Sequence, residues 1–148
     1  YFEHNFVSSL SGAIGSVSII TDGSAPSPSP SPSPSPTPSP TTYTVTVASY
    51  LGANYFYVDG SRAPTLSLTE GQTYKFDQAD SSNSSHPLRI STTSNGTHSG
   101  GSEYTTGVTT SGTPGSSGAY TQIEVAVGAP TLYYYCTNHS GMGGQLNT

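Results

Sequence analysis

A proline-alternating run limits what the chain can form on either side of it. Residues 25–41 read APSPSPSPSPSPTPSPT, with proline at every second position from Pro26 to Pro40. Because each proline fixes its φ angle and lacks an N–H, neither a helix nor the interior of a sheet can cross this run. Polyproline II is the expected conformer, and about fifteen residues of it span roughly 45 Å. The sequence therefore predicts a semi-rigid stalk over residues 25–41.

The segment before the stalk, residues 1–24, is short and apolar. Phe2, Phe6, Leu10 and Ile14 recur every four residues as in a helix, whereas the positions that follow alternate with serine as in a strand. Such a short segment cannot bury its own apolar face. We expect residues 1–24 to be an anchor that docks into a larger protein assembly; the alternative is the flank of a neighbouring domain.

Charge and hydropathy exclude two classes of partner. Among 148 residues there are 3 Lys and Arg against 8 Asp and Glu, which gives a net charge of −5 and no basic footprint for nucleic acid. No apolar run approaches the roughly 20 residues of a membrane-spanning helix. We expect neither a nucleic-acid partner nor a membrane span. The first residue is Tyr rather than Met, so a processed form or a piece of a longer chain is expected.

Residues 42–148 have the pattern of an all-β domain. Short segments rich in Thr, Tyr and Val are separated by turn signals, which is typical of a β-sandwich or barrel. Residues 93–119 are expected to form a long irregular excursion with one strand near Glu103–Val108. The predicted strands are Thr42–Ser49, Asn54–Val58, Thr65–Leu68, Thr73–Asp77, Leu88–Thr92, Tyr120–Val127 and Thr131–Cys136.

The last predicted strand leads into LYYYCTNHSGMGG, which holds the chain's only cysteine and its only methionine. Two residues separate Cys136 from His139, and two more separate His139 from Met142. A trigonal site of two His and one Cys with a weak axial Met is typical of blue copper. Period-two geometry places Tyr134 on the face of Cys136, and the tyrosines on either side of Tyr134 on the other face.

A second histidine must come from elsewhere in the chain, and the candidates are His4, His86 and His98. His86 is the best placed, because it begins the strand-like HPLRIST directly after the polar loop DQADSSNSS. A ligand at the start of a strand, beside a loop that supplies three more, can close a site between two sheets.

Other chemistries fit this pattern less well. Zinc usually takes Cys, His or carboxylate ligands, for which methionine is a poor substitute. A binuclear copper centre needs a second cysteine, and covalent haem attachment needs C-x-x-C-H. A cysteine nucleophile with His139 as its base lacks any sign of an oxyanion site. We therefore expect no enzyme; the remaining alternative is that the fold persists with the four residues as a packed polar cluster.

Residues 42–148 resemble the cupredoxins, the family of plastocyanin, azurin and amicyanin. The similarity lies in LSLTEGQTYKF, in HPLRI and in APTLYYYCTNHSGMGG with its short ligand loop. It implies a Greek-key cupredoxin-like β-sandwich with a single type 1 copper ion as cofactor. By this resemblance the copper ligands are His86, Cys136, His139 and Met142.

Two positions depart from the family pattern. Pro87 stands where the family commonly supplies a backbone N–H to the ligand sulfur, and proline has none. Such bonds stabilise the electron-rich thiolate, so the loss of one is expected to lower the reduction potential. Asn138 replaces the family's proline between the ligand Cys and His.

The stretches SHPLRIST and YYCTNHSGMGG are also similar to cupredoxin-like modules on structural proteins of marine phages. That resemblance implies a module displayed on a virion, as a decoration or fibre protein, with a host surface as its partner. The alternative is a tethered periplasmic or cell-surface electron carrier, whose redox partner would dock on an exposed His139 edge within an apolar patch. Either role places the protein outside the cytoplasm.

Overall fold

The computed structural model describes residues 37–148, together with the isolated positions 23, 29, 31 and 33. The predicted anchor, residues 1–24, lies outside the described residues except for position 23, as do His4 and most of the predicted stalk, residues 25–41. Both segments therefore stay predictions. In the part of the chain that the structure describes, no helix has the length and apolar character to cross a membrane.

The described residues form short strands joined by turns, as the Thr- and Tyr-rich pattern predicts. Two short 3-10 helices, Ser81–Asn83 and Gly96–Ser99, lie in the connections. The strands are β1 (Thr41–Tyr50), β2 (Ala53–Val58), β3 (Ser61–Arg62), β4 (Leu66–Ser67), β5 (Thr73–Asp77), β6 (Leu88–Ser91), β7 (Val108–Ser111), β8 (Tyr120–Glu124), β9 (Leu132–Cys136) and β10 (Gly144–Asn147).

These strands build two mixed sheets, which confirms the all-β sandwich. The larger sheet has the order β3-β2-β1-β5-β8-β7, and the smaller has the order β4-β10-β9-β6. The β1–β5 and β4–β10 pairs are parallel and the other pairs are antiparallel. Val45, Phe56 and Phe76 from the larger sheet join Leu88 and Leu132 from the smaller one in a single buried apolar cluster.

Each of the seven predicted strands is present, with its ends within a few residues of the prediction. The predicted strand near Glu103–Val108 is wrong in position, since β7 begins only at Val108. Gly107, with a φ of 69°, makes the turn that precedes β7, and Glu103 forms only an isolated bridge with Ser91. Two short strands, β3 and β10, were not predicted.

The alternation of side chains along β9 is confirmed. Tyr134 and Cys136 belong to the buried cluster between the sheets, whereas Tyr133 and Tyr135 do not. Tyr135 is nevertheless 1% exposed, because the excursion after β6 covers it. A Cβ added at Gly96 would lie 2.6 Å from the Tyr135 ring, so the excursion packs directly on it.

Candidate metal centre

Strand register brings the predicted ligands to one end of the smaller sheet. Cys136 is the last residue of β9, and His139 follows it in the ligand loop, residues 137–143. Leu88 of β6 pairs with Cys136 in antiparallel register. His86 lies two residues before Leu88, so it reaches the same end of the sheet as Cys136.

The three donor groups converge closely enough to share one ion. The Cys136 Sγ atom lies 3.9 Å from His86 Nδ1 and 3.6 Å from His139 Nδ1. One ligand atom from each residue can be chosen so that all three lie within 4.8 Å of one another. Metal–sulfur and metal–nitrogen bonds of about 2.3 and 2.0 Å, at tetrahedral to trigonal angles, put sulfur and nitrogen roughly 3.5 to 3.8 Å apart. The observed spacing fits a single bound metal.

Burial differs sharply among the four predicted ligands. Cys136 is fully buried and Met142 is 1% exposed, and both belong to the core cluster. His86 is half-buried and His139 is exposed. The Met142 carbonyl accepts a hydrogen bond of 2.9 Å from the Phe56 N–H, which ties the loop to the larger sheet. The group is therefore closed on its core side and open to solvent along His139.

His98, another sequence candidate for the second histidine, is not part of the donor group. Its Nε2 atom lies 2.9 Å from the Cys136 carbonyl oxygen, and its ring meets Tyr135 edge-on. His98 thus contacts the backbone of the ligand strand rather than the sulfur.

Two hydrogen bonds hold the ligand loop to the segment that carries His86. The Asn138 side-chain amide donates to the Ser85 carbonyl at 2.9 Å, and the Thr137 N–H donates to the Pro87 carbonyl at 3.1 Å. Pro87 lacks an N–H, but this pairing uses only its carbonyl. Asn138 is therefore a positioning residue, a role that the sequence alone did not indicate.

A buried amide network fixes His86 from the other side. Gln78 is 1% exposed; its Nε2 donates to the His86 carbonyl at 2.9 Å, and its Oε1 accepts from the Leu88 N–H at 3.1 Å. Gln78 thus binds the two residues that flank Pro87, His86 and Leu88. Asn83, fully buried, accepts from Gln78 at 3.3 Å and from the His86 N–H through its own carbonyl at 2.8 Å.

The sequence did carry a signal for Gln78. Tyr74 and Phe76 of β5 face the core, and Gln78 is the next position in the same period-two series. A polar residue at an inward position predicts a buried group that needs hydrogen-bond partners.

Burial sets the protonation of the metal-free site. It raises the pKa of the Cys136 thiol, and the backbone N–H groups of Asn138 and His139 oppose that rise. Burial, reinforced by His139, lowers the pKa of His86. At neutral pH the site therefore holds a neutral His86 and a protonated thiol, so metal binding must release the thiol proton.

The N–H groups of Asn138 and His139 are also relevant to the predicted reduction potential of the copper site. Residue 87 supplies no N–H donor to the sulfur, as its chemistry requires, whereas the backbone N–H groups of Asn138 and His139 lower the pKa of the thiol. These loop groups stabilise the thiolate but do not replace the donor that position 87 lacks, so the lower reduction potential stays a prediction.

The lowered pKa of His86 predicts a pH dependence for the metal-free protein. The unfolded chain takes up the His86 proton near pH 6.5, before the folded protein does. The free energy of unfolding is therefore expected to fall as the pH drops below about 6.5. Denaturant unfolding between pH 7.5 and 5 checks this, and His86→Gln should show a shallower fall. Equal slopes for the two proteins would contradict it.

No model of a known protein family matches the chain, and a search of curated proteins finds no significant match. The chemistry of the site therefore rests on its own residues. Those residues are a buried thiol and two imidazoles that converge at hydrogen-bonding distance, beside a buried thioether in the same cluster. They form one group that could hold a metal ion.

Proposed function

We propose that this chain is a cupredoxin-like copper-binding module with Greek-key topology. It is displayed by an extracellular assembly, a virion, to which residues 1–24 anchor it. The observation that carries the copper site is the convergence of His86, Cys136 and His139 on one point at the end of the smaller sheet. The display role is supported by the stalk and anchor patterns and by the resemblance to phage modules.

Donor chemistry favours copper over zinc at this site. Thiolate and thioether ligands select soft metals such as copper, and imidazole suits both metals. Met142 lies in the same buried cluster as Cys136. Its thioether is a poor ligand for a hard or strongly hydrated ion. When bound, copper would supply a one-electron couple. His86, Cys136 and His139 would hold it, and Met142 would add a thioether to the ligand set.

The surrounding residues keep this donor group in place without the metal. Asn138 joins the two ligand-bearing segments, Gln78 holds both sides of Pro87, and the Phe56 N–H holds the Met142 backbone. Such outer partners orient the ligands and exclude alternative geometries. They give the module a preorganised site, whether copper serves redox chemistry or stability.

One observation favours the alternative, a tethered electron carrier. His139 is the exposed edge of the donor group, as such a carrier requires. Phe56 of β2 donates to the ligand loop and pairs with Val47 of β1. From this pair the β1–β2 hairpin extends three more residue pairs toward its tip. Leu51, 89% exposed, lies at the hairpin tip and so at the same end of the domain. If this end docks a redox partner, Leu51→Ser should slow electron exchange with that partner and leave the copper spectrum unchanged.

The test of the copper site is a Cu(II) titration of the metal-free full-length chain, followed by absorption. One equivalent should produce an intense band in the orange-to-red region, and Cys136→Ser should abolish it. The matched control is His98→Gln, which removes a histidine that contacts the Cys136 carbonyl and the Tyr135 ring but not the sulfur, and it should leave the band in place. A folded wild-type protein with no band and no bound copper would overturn the proposal.

A further inference from the structure

A cavity of about 230 Å³ lies beside the ligand loop. Tyr133 of β9 and Gln145 of β10 are register partners on the outer face of the smaller sheet and line it. Ser94 and Asn95 of the excursion and Gly141 of the ligand loop also line it. Tyr133 is on the face of β9 opposite Cys136, so this cavity is separate from the metal group.

The lining is uncharged and offers both donors and acceptors. The Asn95 Oδ1 accepts from the Gly141 N–H at 2.8 Å, which leaves its Nδ2 to donate to a ligand. The Gln145 Nε2 donates to Asn147 at 2.6 Å, which leaves its Oε1 to accept. Ser94 and Tyr133 add hydroxyl groups, each of which can donate and accept. No Asp, Glu, Lys, Arg or His lines the cavity within the described chain.

This lining selects for one class of ligand. A charged ligand would lose water without gaining an opposite charge, and an apolar one would leave the amides without partners. The volume is below the range of about 300 to 1,000 Å³ that suits drug-sized ligands. An uncharged single ring that carries several hydroxyls meets these requirements, with its less polar face on the Tyr133 ring.

We propose that this cavity binds one neutral sugar ring, the terminal unit of a surface glycan. The inference goes beyond the copper site and names the chemistry by which a displayed module would recognise its partner. It rests on the display role for its biological meaning, but the binding itself is independent of copper. Measurement on the metal-free protein therefore separates failure of this site from failure of the copper proposal.

The experiment is a nuclear magnetic resonance titration of the metal-free full-length chain with glucose, galactose, mannose and N-acetylglucosamine. At least one sugar should shift the amide signals of Asn95, Gly141 and Gln145, with a dissociation constant of about 1 mM. Tyr133→Ala should weaken binding about tenfold, since it removes the stacking surface. Tyr133→Phe keeps the ring and should weaken binding less.

Two controls localise the effect. Tyr55→Ala, which removes a partly exposed tyrosine from the larger sheet, should leave binding unchanged. Gln145→Leu should weaken binding about tenfold by removing the acceptor, and it tests the site even if Tyr133→Ala fails to fold. Absence of shifts with every sugar at about 50 mM, far above the expected constant, would overturn the proposal. So would binding that survives unchanged in Gln145→Leu or in a folded Tyr133→Ala.

Discussion

Gly143→Ala is expected to destabilise the protein by more than about 3 kcal/mol, at the upper end of what overpacking costs. A Cβ at this position would overlap the Tyr134 carbonyl oxygen and lie 2.7 Å from its carbonyl carbon and 3.0 Å from the Tyr135 Cα. These are backbone atoms of β9, a paired strand of the smaller sheet, so they cannot move aside as a side chain can. The ligand loop must instead shift away from β9, and this shift displaces Met142.

Denaturant unfolding of the metal-free protein measures this effect, and Gly141→Ala is the matched control. Gly141 is in the same loop with a φ of 76°, but nothing lies within 4 Å of an added Cβ. Its replacement introduces backbone strain of roughly 1 to 2 kcal/mol without a clash. Gly143 has no positive φ, so its replacement isolates the steric term. Equal stability of the two variants would show that β9 does not hold the loop this closely.

Local pattern was sufficient where a strand carries its own signal. Thr73–Asp77 alternates inward and outward residues after the Glu70–Gly71 turn, and β5 has the predicted bounds. The donor group was also predictable, because Cys136 and His139 are close in sequence and His86 comes two residues before strand β6. These features depend on period and spacing, which the sequence displays directly.

The missed features depend on contacts between distant segments. Arg62 pairs with Tyr57 in the two-residue β3, and its guanidinium lies 3.6 Å from the centre of the Tyr50 ring. β10 is short and begins with glycine; it is a strand because β4 and β9 flank it. Asn138 gave no sign of its bond to Ser85, 53 positions earlier. Such pairings become visible only once the register of the sheets is known.

Gln78→Leu is expected to weaken both the fold and the metal site. Leucine keeps the approximate volume but leaves the buried Leu88 N–H, the His86 carbonyl and the Asn83 Oδ1 without the Gln78 amide. An unsatisfied buried group costs about 1 to 3 kcal/mol, and three groups near the lower end of that range give an expected loss of about 3 to 4 kcal/mol in the free energy of unfolding. Because Gln78 orients the segment that carries His86, copper affinity should fall about 10- to 100-fold, as for other partners of metal ligands.

Gln122→Leu separates this network from a general loss of polarity. Gln122 pairs with Lys75 in the same sheet but is partly exposed, and its side chain makes no hydrogen bond within the described residues. Its replacement should change the unfolding free energy by less than about 0.5 kcal/mol and leave copper affinity unchanged. Comparison of unfolding and copper titration for both variants then distinguishes two roles. A Gln78→Leu protein that is less stable but binds copper as tightly as wild type would make Gln78 a structural residue only. If Gln78→Leu instead loses more copper affinity than its lower stability explains, Gln78 positions His86.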